Sequence, residues 1–561
     1  MLVATSSTKS NVNRSRSGST SFSSNKVPGR VDLSAQGVPD VSEQTWRIGS
    51  IAILCLSAIL RLYNLNLVPL HHDEGVNGNF LLTLVRDGRY HYDPANYHGP
   101  TLYYLSAIIP WITKLLFGTT ARDTYGLTTF TIRLVPAAFG IATIVLVFSL
   151  RGRLGTVATL SAGFLLAISP GAVYLSRYFI HETLFVFFTL GIVVAALKFH
   201  ESRNPTYLLL ASASAAMLFA TKETAMISGG VLLIALASTL VYQRVLGFGG
   251  GRRRSAKDSV EGASFLAELG GGTSLSLWIG LAVLVFVAIY VFFYSSFFTN
   301  YPKGVYDSLK TFEVWTKTGQ QAHVHPPETY LTWLIKQESA LLFLGAIGAV
   351  FVIFKPKNSF ALFSALWAFG LIAAYSLVPY KTPWLDLNFI LPLALISGYA
   401  VQRLYELEKG QLRLPVAILV VTGLIGLYQT IDLNFFNYDN DDTYYVYVYA
   451  HTKRGTKDLV DEIEKFASQG NEGGKTGITI VSPDYWPLPW YLRNYSRVGY
   501  YGRMSPSTEP LIIASETQRA EVESTFGDRY QQIISKEPGG VFSLRPGVNL
   551  LLYARRSGVP Q

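Results

Sequence analysis

The stretch His71-His72-Asp73-Glu74-Gly75, continued downstream by Tyr97-His98-Gly99-Pro100-Thr101-Leu102-Tyr103-Tyr104, is the polar island from which the rest of the chain is read. It follows the first long hydrophobic run, and the quoted residues bring together three histidines and two neighbouring carboxylates. Ionisable groups are costly beside hydrocarbon, so such a cluster reads as a functional site by default.

Outward from it the chain turns apolar. Of 561 residues, 49% are hydrophobic and 15% charged, a balance expected of a polytopic α-helical membrane protein rather than a soluble one. Apolar runs near the length that spans hydrocarbon occupy about 48–65, 130–150, 156–175, 180–199, 206–221, 224–246, 275–295, 338–354, 360–379, 385–401 and 414–431. They predict about eleven transmembrane helices. Thr101–Phe117 is a twelfth candidate, but it is shorter and contains Pro110 and Lys114.

The basic connections decide its status. Arg151 with Arg153, Arg252 to Arg254, Lys355 with Lys357, and Arg403 with Lys409 and Arg413 should share the cytoplasmic side with the basic N-terminal tail. They do so only if Thr101–Phe117 does not cross, so this segment is expected to be an interfacial helix on the outer surface. The plan that follows is a disordered basic cytoplasmic tail over 1–44, a membrane domain over 45–431 with a first outer loop over 66–129, and an extracytoplasmic α/β domain over 432–561. The expected location is the plasma membrane. No small-residue cleavage site follows the tail, so the first apolar run is read as a retained anchor.

In the last domain a helix is expected over Asp442–Ser468 and strands over Gly477–Ser482, Pro510–Ser515 and Val548–Ala554. Its aromatic run Tyr485-Trp486-Pro487-Leu488-Pro489-Trp490-Tyr491 is read as a packing or interfacial element, with sugar stacking as the alternative. The net charge of +10 is concentrated in the tail and the short connections. This fits membrane orientation, not a nucleic-acid stripe. Cys55 is the single cysteine and cannot form an intrachain disulfide.

By the same count, unusual polar residues gather on the outer face. Asp73 is expected to take the proton of an attacking hydroxyl while Glu74 orients the acceptor; a donor that leaves as a phosphate needs no partner acid. The bland alternative is a pair that merely caps a helix. His71, His72 and His98 with Asp73 offer ligands for a divalent metal, although their spacing is irregular. His98 reads better as a donor to phosphate or substrate, and His72 and Tyr103 join it as substrate-binding candidates. His323 and His325 read as part of a solvated loop.

Arg177 with His181 and Glu182, and Lys222 with Glu223, stand where apolar runs end. Cations at that depth suit a phosphate; snorkelling or an ion pair closing the bundle is the alternative. Lys381, in Tyr380-Lys381-Thr382-Pro383-Trp384, is a further phosphate candidate, and Trp384 suits either the site or the interface. Arg252 to Arg254 is read as an orientation signal.

Together these residues resemble the GT-C glycosyltransferases, in particular the dolichyl-phosphate-mannose protein mannosyltransferase and aminoarabinose-to-lipid-A transferase group. The run His72-Asp73-Glu74-Gly75 with His98-Gly99-Pro100-Thr101-Leu102-Tyr103-Tyr104 is most similar to a prokaryotic branch named for an association with lipid-linked-oligosaccharide flipping. The similarity covers about 60–430 and, in that branch, continues through Trp486 to Tyr491.

The resemblance implies a catalytic base in Asp73-Glu74 and matches Glu182 and Thr221-Lys222 to further family positions. It also implies transfer of a sugar, with inversion, from a polyprenyl-phosphate donor to a lipid, glycan or protein acceptor on the outer face. His98 stands where the aminoarabinose enzymes carry lysine, and the long sugar-binding insertion of eukaryotic mannosyltransferases is absent. Two alternatives remain: a flippase or flippase accessory that moves lipid-linked sugars without cleaving them, and an inactive scaffold for envelope assembly.

Overall fold

A computed structural model of the chain describes residues 38–95, 98–118, 126–245, 271–318, 323–355, 358–439, 445–470 and 472–556. Most of the basic tail, Tyr97, Arg252 to Arg254, Lys357 and Asp442 lie outside the described residues. The membrane domain comprises α1 (Glu43–Leu62), α2 (His72–Asp87), α3 (Thr101–Phe117), α4 (Thr129–Phe148), α5 (Thr156–Ile168), α6 (Pro170–Ser176), α7 (Glu182–Ser202), α8 (Thr206–Phe219), α9 (Ala225–Val245), α10 (Gly271–Tyr294), α11 (Lys303–Thr318), α12 (Thr329–Gln337), α13 (Ser339–Phe354), α14 (Ser359–Leu377), α15 (Leu387–Leu407) and α16 (Arg413–Ile431).

Among the described residues, eight helices are long and apolar enough to cross a bilayer. The number rises to ten if each of two bent pairs, α5 with α6 at 60° and α12 with α13 at 110°, counts as one span. The expected eleven is not reached, because α8 has only 14 residues. At the helical rise that is about 21 Å, short of the roughly 30 Å of hydrocarbon.

The bends explain why polar residues sit deep in apolar runs. Pro170 has no N–H to donate, so the α5–α6 junction strands carbonyls, and an unsatisfied backbone group in hydrocarbon costs several kcal/mol. Arg61 of α1 donates to the carbonyls of Leu166 at 3.1 Å and Ala167 at 3.0 Å, and the Thr430 hydroxyl donates to that of Ile168 at 2.6 Å. The second bend serves the first. Glu338, between α12 and α13, accepts from the Ser169 hydroxyl at 2.7 Å and the Gly171 N–H at 2.8 Å, closing the start of α6.

The basic connections meet at one end of the bundle. Arg151 pairs with Glu43 and Arg153 with Glu201, each at 2.6 Å, while Asn358 donates to the Arg153 carbonyl and Tyr405 to that of Pro39. From this end α1, α4 and α7 reach across to the other, where Asp73, His98 and Glu182 line one cavity.

Beyond the bundle lie α17 (Gly455–Gln469), α18 (Leu488–Tyr491) and α19 (Arg519–Phe526), with strands β1 (Ile478–Ile480), β2 (Val498–Tyr500), β3 (Leu511–Ser515), β4 (Tyr530–Ile533), β5 (Phe542–Arg545) and β6 (Val548–Arg555). The sheet runs β2-β1-β3-β6-β4, with β5 also on β6; β1 is parallel to β2 and β3, and β6 is antiparallel to its three partners. Strand alternation gives the sheet two apolar faces. Leu511, Ile513, Leu550 and Leu552 pack with Leu459 and Ile463 of α17, and Ile512, Leu551 and Tyr553 with Val522 and Phe526 of α19.

The helix expected from Asp442 begins only at Gly455. Tyr445-Val446-Tyr447-Val448 before it are all buried, and alternating aromatic and β-branched residues carry no helical period. This segment is wedged against the bundle, with the Tyr445 hydroxyl on Asp432 and that of Tyr447 3.5 Å from Glu338.

Two glycines let the C-terminal domain settle on α2. A Cβ at Gly75 would lie 2.5 Å from that of Pro487, and one at Gly78 would lie 2.6 Å from the Trp490 ring. Trp490 is buried, and the Tyr491 hydroxyl accepts from the Leu70 N–H at 2.8 Å, so the end of the aromatic run is packing. Gly78→Val should therefore cost about 1–3 kcal/mol in overpacking, read as a lower unfolding temperature in detergent. Gly229→Val, where a Cβ meets open space, is the control expected to leave that temperature unchanged.

Candidate active site

The start of α2 gives His71, Asp73 and Glu74 separate tasks, the last two turned apart by the rotation of about 100° per residue. His71 is the N-cap: its Nδ1 accepts the Asp73 N–H at 3.1 Å, while Glu74 Oε2 accepts the His71 N–H at 3.0 Å. This is the reciprocal capping arrangement. With Nδ1 accepting, Nε2 carries the proton and donates to the Tyr449 carbonyl at 3.2 Å. The imidazole is thus neutral, and its 3.7 Å approach to the Asp73 carboxylate is not an ion pair.

Glu74 points into the bundle. Its oxygens accept from Arg133 Nε at 2.7 Å and Nη2 at 2.5 Å, and from the Phe179 N–H at 2.7 Å. The same guanidinium donates to the carbonyls of Leu65 at 2.8 Å, Val68 at 2.9 Å and Pro69 at 3.3 Å, gathering the chain that leads into α2. Glu74 is 0% exposed and does not line the cavity. The expectation that it orients an acceptor gives way to a positioning role.

Asp73 points the third way, into a cavity of about 430 Å³. Its side chain is 29% exposed. Of the residues expected from sequence, His72, Asp73, His98, His181, Glu182 and Trp384 line this space. Three more stand directly behind them: Lys222 on Glu182 at 2.5 Å, Glu223 on His98 Nδ1 at 2.9 Å, and Tyr103 donating to Asn77 at 2.8 Å. The two loops that carry these residues are laced together. Gly99 N–H donates to the Thr221 carbonyl at 3.0 Å, and the hydroxyls of Thr101 and Thr221 meet at 2.8 Å.

Arg177 and Lys381 are elsewhere. Arg177 donates to the carbonyls of Leu60 at 3.1 Å, Tyr63 at 2.7 Å and Asn64 at 3.0 Å, closing the end of α1. Lys381, 1% exposed, donates to the carbonyls of Ser376 and Val378. Both cations satisfy stranded carbonyls where helices end, and neither lines the cavity to which a phosphate-holding role was expected to bring it.

His71, His72, His98, His181 and His323 all line the cavity. Burial pushes His72 and His323 below the usual imidazole range despite nearby Asp73, and pushes His181 well below it, with His98 and Lys222 adding to the effect. Neutral rings offer both a donor and an acceptor. Such a wall suits hydroxyl-rich ligands. Among the described residues, no three His, Cys, Asp or Glu side chains converge within metal-ligating reach, so the divalent ion considered above is given no site.

Sequence reading passed over Arg133, Asn77, Tyr449 and Arg545. Arg133 had a signal, being an ionisable residue four places into an apolar run. Asn77, Tyr449 and Arg545 had none, because their neighbours are ordinary and the fold alone brings them here.

Residues 106–247 match the family model for dolichyl-phosphate-mannose-protein mannosyltransferases. No curated protein sequence matches the chain. Among solved structures, ArnT from Cupriavidus metallidurans bound to undecaprenyl phosphate superposes with a TM-score of 0.61 at 13% identity, covering 93% of this chain and 100% of that one. Its apo form gives 0.57 at 14% identity, covering 91% and 98%. The oligosaccharyltransferase AglB from Archaeoglobus fulgidus, in complex with an inhibitory peptide and a dolichol-phosphate, gives 0.50 at 14% identity, covering 92% and 75%.

The chain is thus a helical membrane protein with the fold of the ArnT structures. The match to the mannosyltransferase model over residues 106–247 agrees with the resemblance that the motifs carry.

Proposed function

We propose that this protein transfers a sugar, with inversion, from a polyprenyl-phosphate donor to an acceptor hydroxyl in the cavity beneath the outer domain. The observation that carries the reading is Asp73. Of the two carboxylates lining the cavity, Glu182 is held by Lys222. Asp73 is the one without a cation within ion-pairing distance among the described residues. A carboxylate so placed takes the hydroxyl proton as the acceptor oxygen attacks the anomeric carbon. The bond from that carbon to the phosphate oxygen breaks, its electron pair leaves with the phosphate, and single displacement inverts the centre. The neutral imidazoles hydrogen-bond the sugar hydroxyls.

The lipid phosphates bound by ArnT and AglB support a donor of this class. The gathering of basic connections at the far end supports a cytoplasmic N-terminus and an extracytoplasmic cavity in the plasma membrane. The acceptor belongs to the lipid, glycan or protein classes that present a hydroxyl to that face.

Purified protein incubated with a panel of polyprenyl-phosphate sugars and of hydroxyl-bearing lipid, glycan and peptide acceptors should release free polyprenyl phosphate and a glycosylated acceptor. A donor relocated across reconstituted vesicles with its sugar–phosphate bond intact would mark a transporter instead and overturn the reading.

A further inference from the structure

We infer that Arg545, delivered by the outer domain, binds the phosphate of the lipid-linked ligand, and that Asp484 holds its guanidinium ready. The identity of the ligand rests on the transfer reading above. The placement of the cation does not.

An anion entering this cavity meets the carboxylates of Asp73 and Glu182 and a wall of imidazoles, of which His98 is engaged by Glu223; Arg545 is the arginine or lysine on the lining. The other cations nearby are already used. Arg177 and Lys381 close helix ends, Arg133 holds Glu74, and Lys222 holds Glu182. Withdrawing any of them would strand a buried group, which is costly.

Arg545 differs in its partner. It pairs with Asp484, whose side chain is 43% exposed, and an ion pair with one partner so open to water contributes little. A phosphate can therefore displace Asp484, which returns to water, and take the planar guanidinium fork that suits it.

The backbone aims this side chain. Register between β5 and β6 shifts between Ser543 and Arg545, and such bulges re-aim side chains beside functional sites. Leu544 goes into the domain core, whereas Arg545 faces the cavity. Trp486, close to Asp484 in sequence, lies 6.0 Å from His72 between ring centroids, so the Arg545–Asp484 pair and Asp73 share one seam.

The test uses the full chain in lipid nanodiscs, with undecaprenyl phosphate and uncharged undecaprenol as probes. R545A should weaken undecaprenyl phosphate binding at least tenfold and leave undecaprenol binding unchanged. R545K should fall between R545A and wild type, and D484N should bind the phosphate at least as tightly as wild type. Equal loss of both lipids in R545A, at an unchanged unfolding temperature, would overturn the assignment, as would wild-type phosphate binding. If R545A does not fold, R545K and D484N carry the same comparison.

Binding is read without turnover, which separates the two claims. A wild-type chain that binds undecaprenyl phosphate through Arg545 but cleaves no sugar donor sinks the transfer reading alone. A chain that transfers sugar while R545A still binds the phosphate normally sinks this inference alone.

Discussion

Asp73→Asn is expected to abolish sugar transfer, lowering the rate by about 10²–10⁴-fold, the usual worth of a positioned general base. Asparagine keeps the size and the backbone N–H that His71 accepts, and it leaves the Glu74–Arg133 fork untouched. The variant should therefore purify in normal yield and unfold at the wild-type temperature. The rate is read as polyprenyl phosphate released per unit time from a saturating donor. Full activity would remove Asp73 from the chemistry. It would leave Glu182 as the next candidate, for which release of Lys222 would be required.

Arg133→Met should have the largest effect on the folded state. Removing one partner of a buried ion pair costs about 3–5 kcal/mol, because the remaining charge cannot be rehydrated. Here it also strands the carbonyls of Leu65, Val68 and Pro69, which share the guanidinium. The measurement is the unfolding temperature and the monodisperse yield in detergent, both of which should fall sharply. Pairing it with Glu74→Leu should recover part of the loss, since no buried charge is then left alone; contacting residues of this kind are not additive. A single variant as stable as wild type would show that the entry to α2 is held by something else.

The contrast between these two acids shows what the sequence could carry. It identified the membrane fold, the motif loop and the soluble tail domain, because hydropathy and composition are local properties. It also found His72, Asp73, His98, His181, Glu182 and Trp384 on the cavity lining and Lys222 and Glu223 behind them, since ionisable groups interrupting apolar runs are visible from the residues alone, but not Asn77, Tyr449 or Arg545. It could not place Glu74, Arg177 and Lys381, which lie off the cavity lining, because a charged group between apolar runs looks the same whether it meets a ligand or a stranded carbonyl. Only the bends at Pro170 and the ends of α1 and α14 show where carbonyls need donors. The helix expected from Asp442 failed on a smaller scale, where the alternating Tyr–Val run follows its docking partner and not a helical period.

Gly75 and Gly78 carry one more consequence. The proposed base sits two residues before Gly75, on a helix whose surface touches the C-terminal module with no side chain between. A molecule that pried that module away would tilt Asp73 and withdraw Arg545 together, silencing the protein from the aqueous side without entering the lipid.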